Sequence, residues 1–208
     1  MKYFSAQPFP VFNRKQNLSM KDTSALTRAL EMVALLGFPF QVIEEDENFI
    51  ELFSSEYPVD YPLFALKNMV GSSCKIERKM PSISKIQKRL HGLLDVPYVW
   101  GGNWHRGFPD HFEKHFSGVD CTGLLYEVTN GLTPRNSSWF FEYGFEVSHR
   151  NLKPLDLIVH KGHLIIVYDK KNTIESNFEW GGVKMMGIEK RLGLLNQKEI
   201  AFTCRRFL

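Results

Sequence analysis

Cys121, His163 and Glu175 are the side chains from which this chain could build covalent chemistry. Cys121 stands between Asp120 and Thr122 in FSGVDCTGLLYEV, residues 116–128, directly ahead of an apolar run. A thiol there has two readings. Free cysteine is among the most buried residue types and can simply fill a core. At the first turn of a helix, however, unpaired backbone N–H groups and the positive dipole end stabilise a thiolate and can also hold an oxyanion. A thiol nucleophile needs a general base, and His163 opens a predicted strand in KGHLIIVYD. The base needs a partner on its other ring nitrogen, and a neighbouring antiparallel strand, NTIES, offers Glu175. His160 is a rival base. Spacing alone leaves the bland and the chemical readings both open, because cysteine and histidine co-occur in many chains.

These residues must be positioned by a scaffold, and the pattern of the chain outlines one. Residues 1–24 read as an irregular lead-in. From residue 25 to 72, short β-rich runs alternate with turn-like groups, GFP, EEDEN and SSEYP, which predicts a small all-β module. The acidic EEDEN run reads as a turn, with gripping a substrate amine as its alternative. Residues 73–81, with charges and a proline, read as a linker. In SISKIQKRLHGLLD, Ile83, Ile86, Leu90, Leu93 and Leu94 fall at helical spacing, and Ser82 or Ser84 can cap them. A second helix begins near Cys121 and is stopped by Gly131 and Pro134. KPLDLIVH, HLIIVYD and TIESNF read as successive strands, and IAFTCRRFL alternates near the end. The expected architecture is therefore an α+β domain, residues 82–208, behind an all-β module.

Composition bounds the function. The chain has 208 residues, 43% hydrophobic and 24% charged, an ordinary globular balance. A net charge of +3 gives no argument for nucleic acid. Three cysteines cannot all pair and are too few for a disulfide scaffold. No run approaches the roughly 18 apolar residues of a membrane span. The N-terminus lacks the apolar stretch of a secretory signal, so action in the cytoplasm is expected, with export by another route as the alternative. His111 and His115 are four apart, near His105, Asp110 and Glu113. On a helix such a spacing could hold zinc. A solvated loop is the expectation, and thiol chemistry needs no metal, so no cofactor is expected.

Taken together, VPYVWGG, GVDCTGLLYEV, LTPRNSS, LKPLDLIV, GHLIIVYD and TIES resemble, in order and approximate spacing, the NlpC-type (NlpC/p60) cell-wall cysteine peptidases. The resemblance spans residues 82–178. More loosely, the β module resembles the bacterial SH3-like domain that precedes many of them. The resemblance implies a papain-like α+β fold and cleavage of peptidoglycan stem peptides between D-γ-glutamate and a diamino acid such as meso-diaminopimelate. It implies Cys121 as nucleophile, His163 as base and Glu175 as the third residue. Tyr98 matches the tyrosine beside the oxyanion region. Asp120 and Thr122 flank the nucleophile, where relatives with an SH3-like domain contact the amino end of short peptides with a free N-terminal L-alanine. Tyr57 and Tyr61 are candidates for contacts from the β module. The implied partner is a stem peptide, and the chain is expected to work as a monomer. Three positions depart from the family pattern. Thr122 replaces a serine, Leu155 replaces the glycine before Asp156, and Glu175 is charged where the family has histidine, asparagine or glutamine. The 103–118 loop is longer than usual. A non-catalytic peptide binder and a thiol acyltransferase are the competing functions.

Overall fold

The computed structural model describes residues 2–15, 29–108 and 116–208. The first half is a seven-stranded sheet of β1 (Lys2–Ser5), β2 (Phe9–Phe12), β3 (Leu30–Ala34), β4 (Pro39–Glu45), β5 (Phe49–Phe53), β6 (Leu63–Leu66) and β7 (Ser72–Ser73). Its order is β3-β2-β6-β5-β4-β1-β7. Two of these strands lie in the stretch expected to be an irregular lead-in, which is a correction. Phe9, Val11 and Phe12 are buried in the first core with Leu30, Met32 and Phe40, and that burial outweighs the prolines that read as breakers. Pro10 is tolerated because β2 pairs with β6 only at Phe12↔Phe64, leaving no ladder bond on that side for the missing N–H to break. The expected linker also begins one residue inside β7. EEDEN is the β4–β5 hairpin turn. Asp46 Oδ1 accepts the Asn48 and Phe49 backbone N–H groups at 2.9 and 2.8 Å.

Helix α1 (Ile83–Gly92) follows, capped by Ser82, whose side chain accepts from the Lys85 N–H. Two short strands, β8 (Asn103–Trp104) and β9 (Gly118–Val119), pair with each other ahead of α2 (Cys121–Val128). The second large sheet contains β10 (Phe145–Glu146), β11 (Leu157–His160), β12 (His163–Val167), β13 (Asn172–Asn177), β14 (Gly182–Gly187) and β15 (Phe202–Arg206), in the order β10-β15-β11-β12-β13-β14. Helix α3 (Ile188–Gln197) sits between β14 and β15.

Both faces of this sheet are covered, which is why its central strands read as unbroken apolar runs rather than as alternation. Leu157, Val159, Leu164 and Ile166 face the core built with α1 and α2. Ile158, Ile165 and Val167 face the other way, onto Leu195 of α3 and onto Cys204. Each such side chain contributes about 1.5–3 kcal/mol by leaving water, so the sheet that carries His163 is held rigidly from both sides. Cys204, on β15, is a buried core thiol whose pKa burial and nearby Asp156 push up to about 11.

Candidate active site

Helix α2 starts on Cys121 because Asp120 caps it: its side chain accepts the Gly123 N–H at 2.7 Å. The helix start is pressed onto the strand-forming Gly101–Gly102 turn. A Cβ on Gly123 would lie 1.9 Å from the Gly102 carbonyl oxygen, so only glycine fits there. The apolar positions that follow, Leu124, Leu125 and Val128, are fully buried and lock the helix against the second sheet. Cys121 is thereby fixed at the positive helix end, 7% exposed.

Asp120 is more than a cap. Arg135 forks onto it, Nη1 to Oδ1 at 2.9 Å and Nη2 to Oδ2 at 2.6 Å. The Gly101 N–H donates to Oδ2 at 3.1 Å. Thr122 closes the network, donating to Asp120 Oδ1 and to the Arg135 carbonyl and accepting from Arg135 Nη1 at 2.6 Å. Asp120 and Thr122 therefore line the cleft beside Cys121 while their polar atoms are largely taken by protein.

His163 is the first residue of β12, and Glu175 lies on the adjacent β13. His163 Nε2 meets Glu175 Oε2 at 2.6 Å, which leaves Nδ1 for the thiol. Burial opposes the imidazolium, yet hydrogen bonding to Cys121 and Glu175 outweighs it and raises the His163 pKa to about 9. Burial likewise works against the Glu175 carboxylate, but His163 and Arg191 hold its pKa below the usual value. Ile174 belongs to the α2-side core, so Glu175 alternates toward α3. There Arg191 grips it, Nε to Oε1 at 2.6 Å and Nη2 to Oε2 at 3.0 Å. The rival base, His160, pairs across the β11–β12 hairpin with His163, and its ring lies tilted beside it, centroids 5.2 Å apart. Burial and the neighbouring imidazole lower its pKa.

A cleft of about 240 Å³ opens over Cys121. One wall carries Tyr98, whose ring packs edge-on to Phe178 at 5.7 Å. Burial, then the charges of Asp120 and Cys121, raise its pKa, so the phenol is a proton donor at neutral pH. The other wall comes from the first half of the chain: Glu31 of β3, and Tyr57 and Tyr61 of the β5–β6 connection. Both tyrosines donate to Glu31 Oε2 at 2.9 Å, and Asn13 donates to Oε1 at 2.7 Å. Burial raises the pKa of both phenols, that of Tyr61 to about 12. The acidic group in this wall is thus Glu31, not the EEDEN turn.

Sequence reasoning missed three residues here. Arg135 stood unremarked inside LTPRNSS. Glu31 is flanked by the buried Leu30 and Met32, and that alternation marks it as facing away from the core. Arg191 required the helix that carries it, which the spacing of Ile188, Leu192 and Leu195 would have disclosed. His111 and His115 lie outside the described residues. His105 pairs instead with Glu127, ring Nδ1 to carboxylate. Among the described residues, no group of three His, Cys, Asp or Glu could hold a metal, and no helix is long and apolar enough to cross a membrane. Cys74 is exposed and Cys121 and Cys204 are buried, all three free.

No protein-family model and no curated protein matches the chain. Solved structures do. An NlpC/P60 family protein from Bacillus cereus aligns over 100% of both chains with a TM-score of 0.67 at 16% identity. The peptidoglycan hydrolase RipB from Mycobacterium tuberculosis aligns over 61% of this chain and 64% of its own, with a TM-score of 0.48 at 23% identity. The P60 domain of a Mycobacterium avium subspecies paratuberculosis antigen aligns over 60% of this chain and 93% of its own, at 0.46 and 22%. Over its full length, then, the chain shares the fold of the NlpC/P60 protein from Bacillus cereus.

Proposed function

We propose that this protein is a cysteine endopeptidase of peptidoglycan stem peptides, cleaving the bond between D-γ-glutamate and a diamino acid. The observation that carries this reading is a thiol at a helix N-terminus, lining the cleft, hydrogen-bonded to an imidazole that a buried carboxylate backs. The first backbone N–H groups of a helix have no intrahelical partner and are aimed at developing negative charge. In the proposed mechanism the Cys121 thiolate attacks the γ-glutamyl carbonyl, and the Cys121 N–H and the Tyr98 phenol hold the oxyanion. His163 Nδ1 gives its proton to the leaving amine, then draws one from water to release the acyl-enzyme. Glu175 keeps the ring oriented through Nε2.

The first-sheet wall sharpens the substrate. We read the first half as an SH3-like module that narrows the cleft. Glu31 lines this wall. Its carboxylate, fixed by Tyr57, Tyr61 and Asn13, suits the free ammonium of an N-terminal L-alanine. Short stem peptides, rather than chains blocked at that amine, follow as substrates.

The test is mass spectrometry of L-Ala-γ-D-Glu-meso-diaminopimelate incubated with wild type and with Cys121→Ala. Release of L-Ala-D-Glu and free diaminopimelate by wild type only is expected. Cleavage by both proteins would remove Cys121 from the mechanism, and cleavage by neither would favour a peptide-binding role.

A further inference from the structure

We propose that Arg191 is a positioning residue, and that the third member of the relay is the two-residue unit Glu175–Arg191 rather than Glu175 alone. The inference rests on Cys121 and His163 being nucleophile and base. A buried carboxylate is costly unless paired, and Glu175 is 1% exposed. Against a partly buried imidazole, an unopposed carboxylate would also bind the imidazolium proton so strongly that His163 would be a poor acid. The geometry removes both problems. Arg191 Nε takes Oε1 at 2.6 Å, while Nη2 at 3.0 Å shares Oε2 with His163 Nε2. Asn177 Nδ2 adds a bond to Oε2 at 3.2 Å. The unit therefore presents to the imidazole an accepting oxygen whose charge is offset from behind, closer to a side-chain amide than a lone carboxylate would be.

The two-pronged geometry is specific to arginine, while the charge that offsets Glu175 is not. The planar fork matches both carboxylate oxygens at once, which a lysine point charge cannot do. The guanidinium is itself fixed over the Trp180 ring, 5.4 Å from its centroid, and is 7% exposed. The remaining groups near the pair are accounted for. Cys121 faces His163 from α2, and the His160 ring lies beside it from β11. Lys184 stands opposite Glu175 in the β13–β14 register, but its ammonium pairs with Asp95 at 2.5 Å, at the surface. Asp120 is occupied by Arg135. Arg191 is thus the cation that sets how much of Glu175's charge reaches the imidazole.

The sign of the effect follows. The folded His163 pKa, about 9, lies above the ordinary 6.5. The imidazolium is therefore fully present below pH 6.5 and is lost as pH rises through about 9. Removing Arg191 leaves Glu175 unopposed and moves that loss to higher pH.

Alkylation of Cys121 by iodoacetate reads this directly, because the anionic reagent reacts fastest when a thiolate sits beside an imidazolium. The rate at Cys121, followed by peptide mass spectrometry across pH, is compared in the full-length wild type, Arg191→Met, Arg191→Lys and Glu175→Gln/Arg191→Met. The alkaline limb should rise by roughly one pH unit in Arg191→Met. It should stay within about half a unit of wild type in Arg191→Lys, which keeps the charge, and in the double variant, whose amide is neutral. Lower thermal stability with an unmoved limb in Arg191→Met would overturn the proposal and make the arginine purely structural. If Arg191→Met does not fold, the double variant decides: a limb near wild type supports the unit, and one displaced by a full unit overturns it. No substrate is involved, so a limb that moves as expected while no peptide is cleaved separates this proposal from the peptidase reading. A wild-type Cys121 that titrates as an ordinary thiol would overturn both.

Discussion

The proposed nucleophile, Cys121, and the proposed base, His163, are each backed by a buried carboxylate under an arginine fork, yet the two forks differ in what else the carboxylate holds. Around Asp120, every further contact comes from a group that does not titrate: the Gly123 and Gly101 N–H groups and the Thr122 hydroxyl. This fork ties a helix start to a glycine turn and fixes where the thiol stands. Around Glu175, one oxygen is spent on an imidazole whose proton comes and goes. That fork sets charge as well as position. The lesson is that one chemical device, a desolvated Arg–carboxylate pair, serves geometry or electrostatics according to its third partner. A third fork, Arg206 on Asp156 at 2.7 and 2.6 Å, has the Lys153 backbone N–H and the Asn151 carbonyl, neither of which titrates, as further partners. It serves as an internal control. Glu31, which also lines the cleft, is the contrasting case of a carboxylate dressed by two phenols and an amide.

The largest effect is expected at the first fork. Arg135→Leu strands Asp120 at 8% exposure and should cost about 3–5 kcal/mol of stability, measured by denaturant unfolding. If it left stability intact and instead displaced the alkaline limb of Cys121 alkylation, the division of labour between the forks would be reversed. Next comes Glu31→Gln, which keeps the side-chain shape and removes the charge. It should raise KM for the free-amine peptide roughly ten- to hundredfold with kcat little changed. It should do nothing to whatever turnover N-acetylated peptide shows. Equal losses on both peptides would show that Glu31 only supports the wall. The smallest effect belongs to the control fork. Leu155 sits at φ 71°, a left-handed conformation costing about 1–2 kcal/mol for a side chain. It is also 2% exposed in the second core, and losing such a leucine costs about 2–5 kcal/mol. Burial wins, so Leu155→Gly should lower stability by roughly 1–3 kcal/mol and leave the pH profile unmoved. A stabilised variant would mean that strain, not packing, dominates there.

The same contrast marks how far the residues could be read without coordinates. Local pattern sufficed wherever the cause is local. The Ser82 cap of α1, the start of α2 on Cys121, the twin-faced apolar strands around His163 and the Asp46-centred turn were all legible, because capping and side-chain period act over a few residues. The types for a thiol–imidazole–carboxylate site, and the order of their elements, were legible too. Strands β1 and β2 were not, because Pro8 and Pro10 hide segments that only burial against Leu30, Met32 and Phe40 makes into strands. Nor was α3, although its spacing carried the signal, and with it Arg191 stayed hidden. Of the 26 lysines and arginines in the chain, nothing local says that Arg135 and Arg191 enter the interior to cover Asp120 and Glu175, or that Glu31 ends across the cleft from Cys121. By itself the sequence determined the elements, their caps and the residue types available for chemistry. Which charges are paired, and how much of each carboxylate reaches its neighbour, was decided only when the helices docked and water was excluded, since the strength of an ion pair depends on a dielectric that does not exist until the fold does.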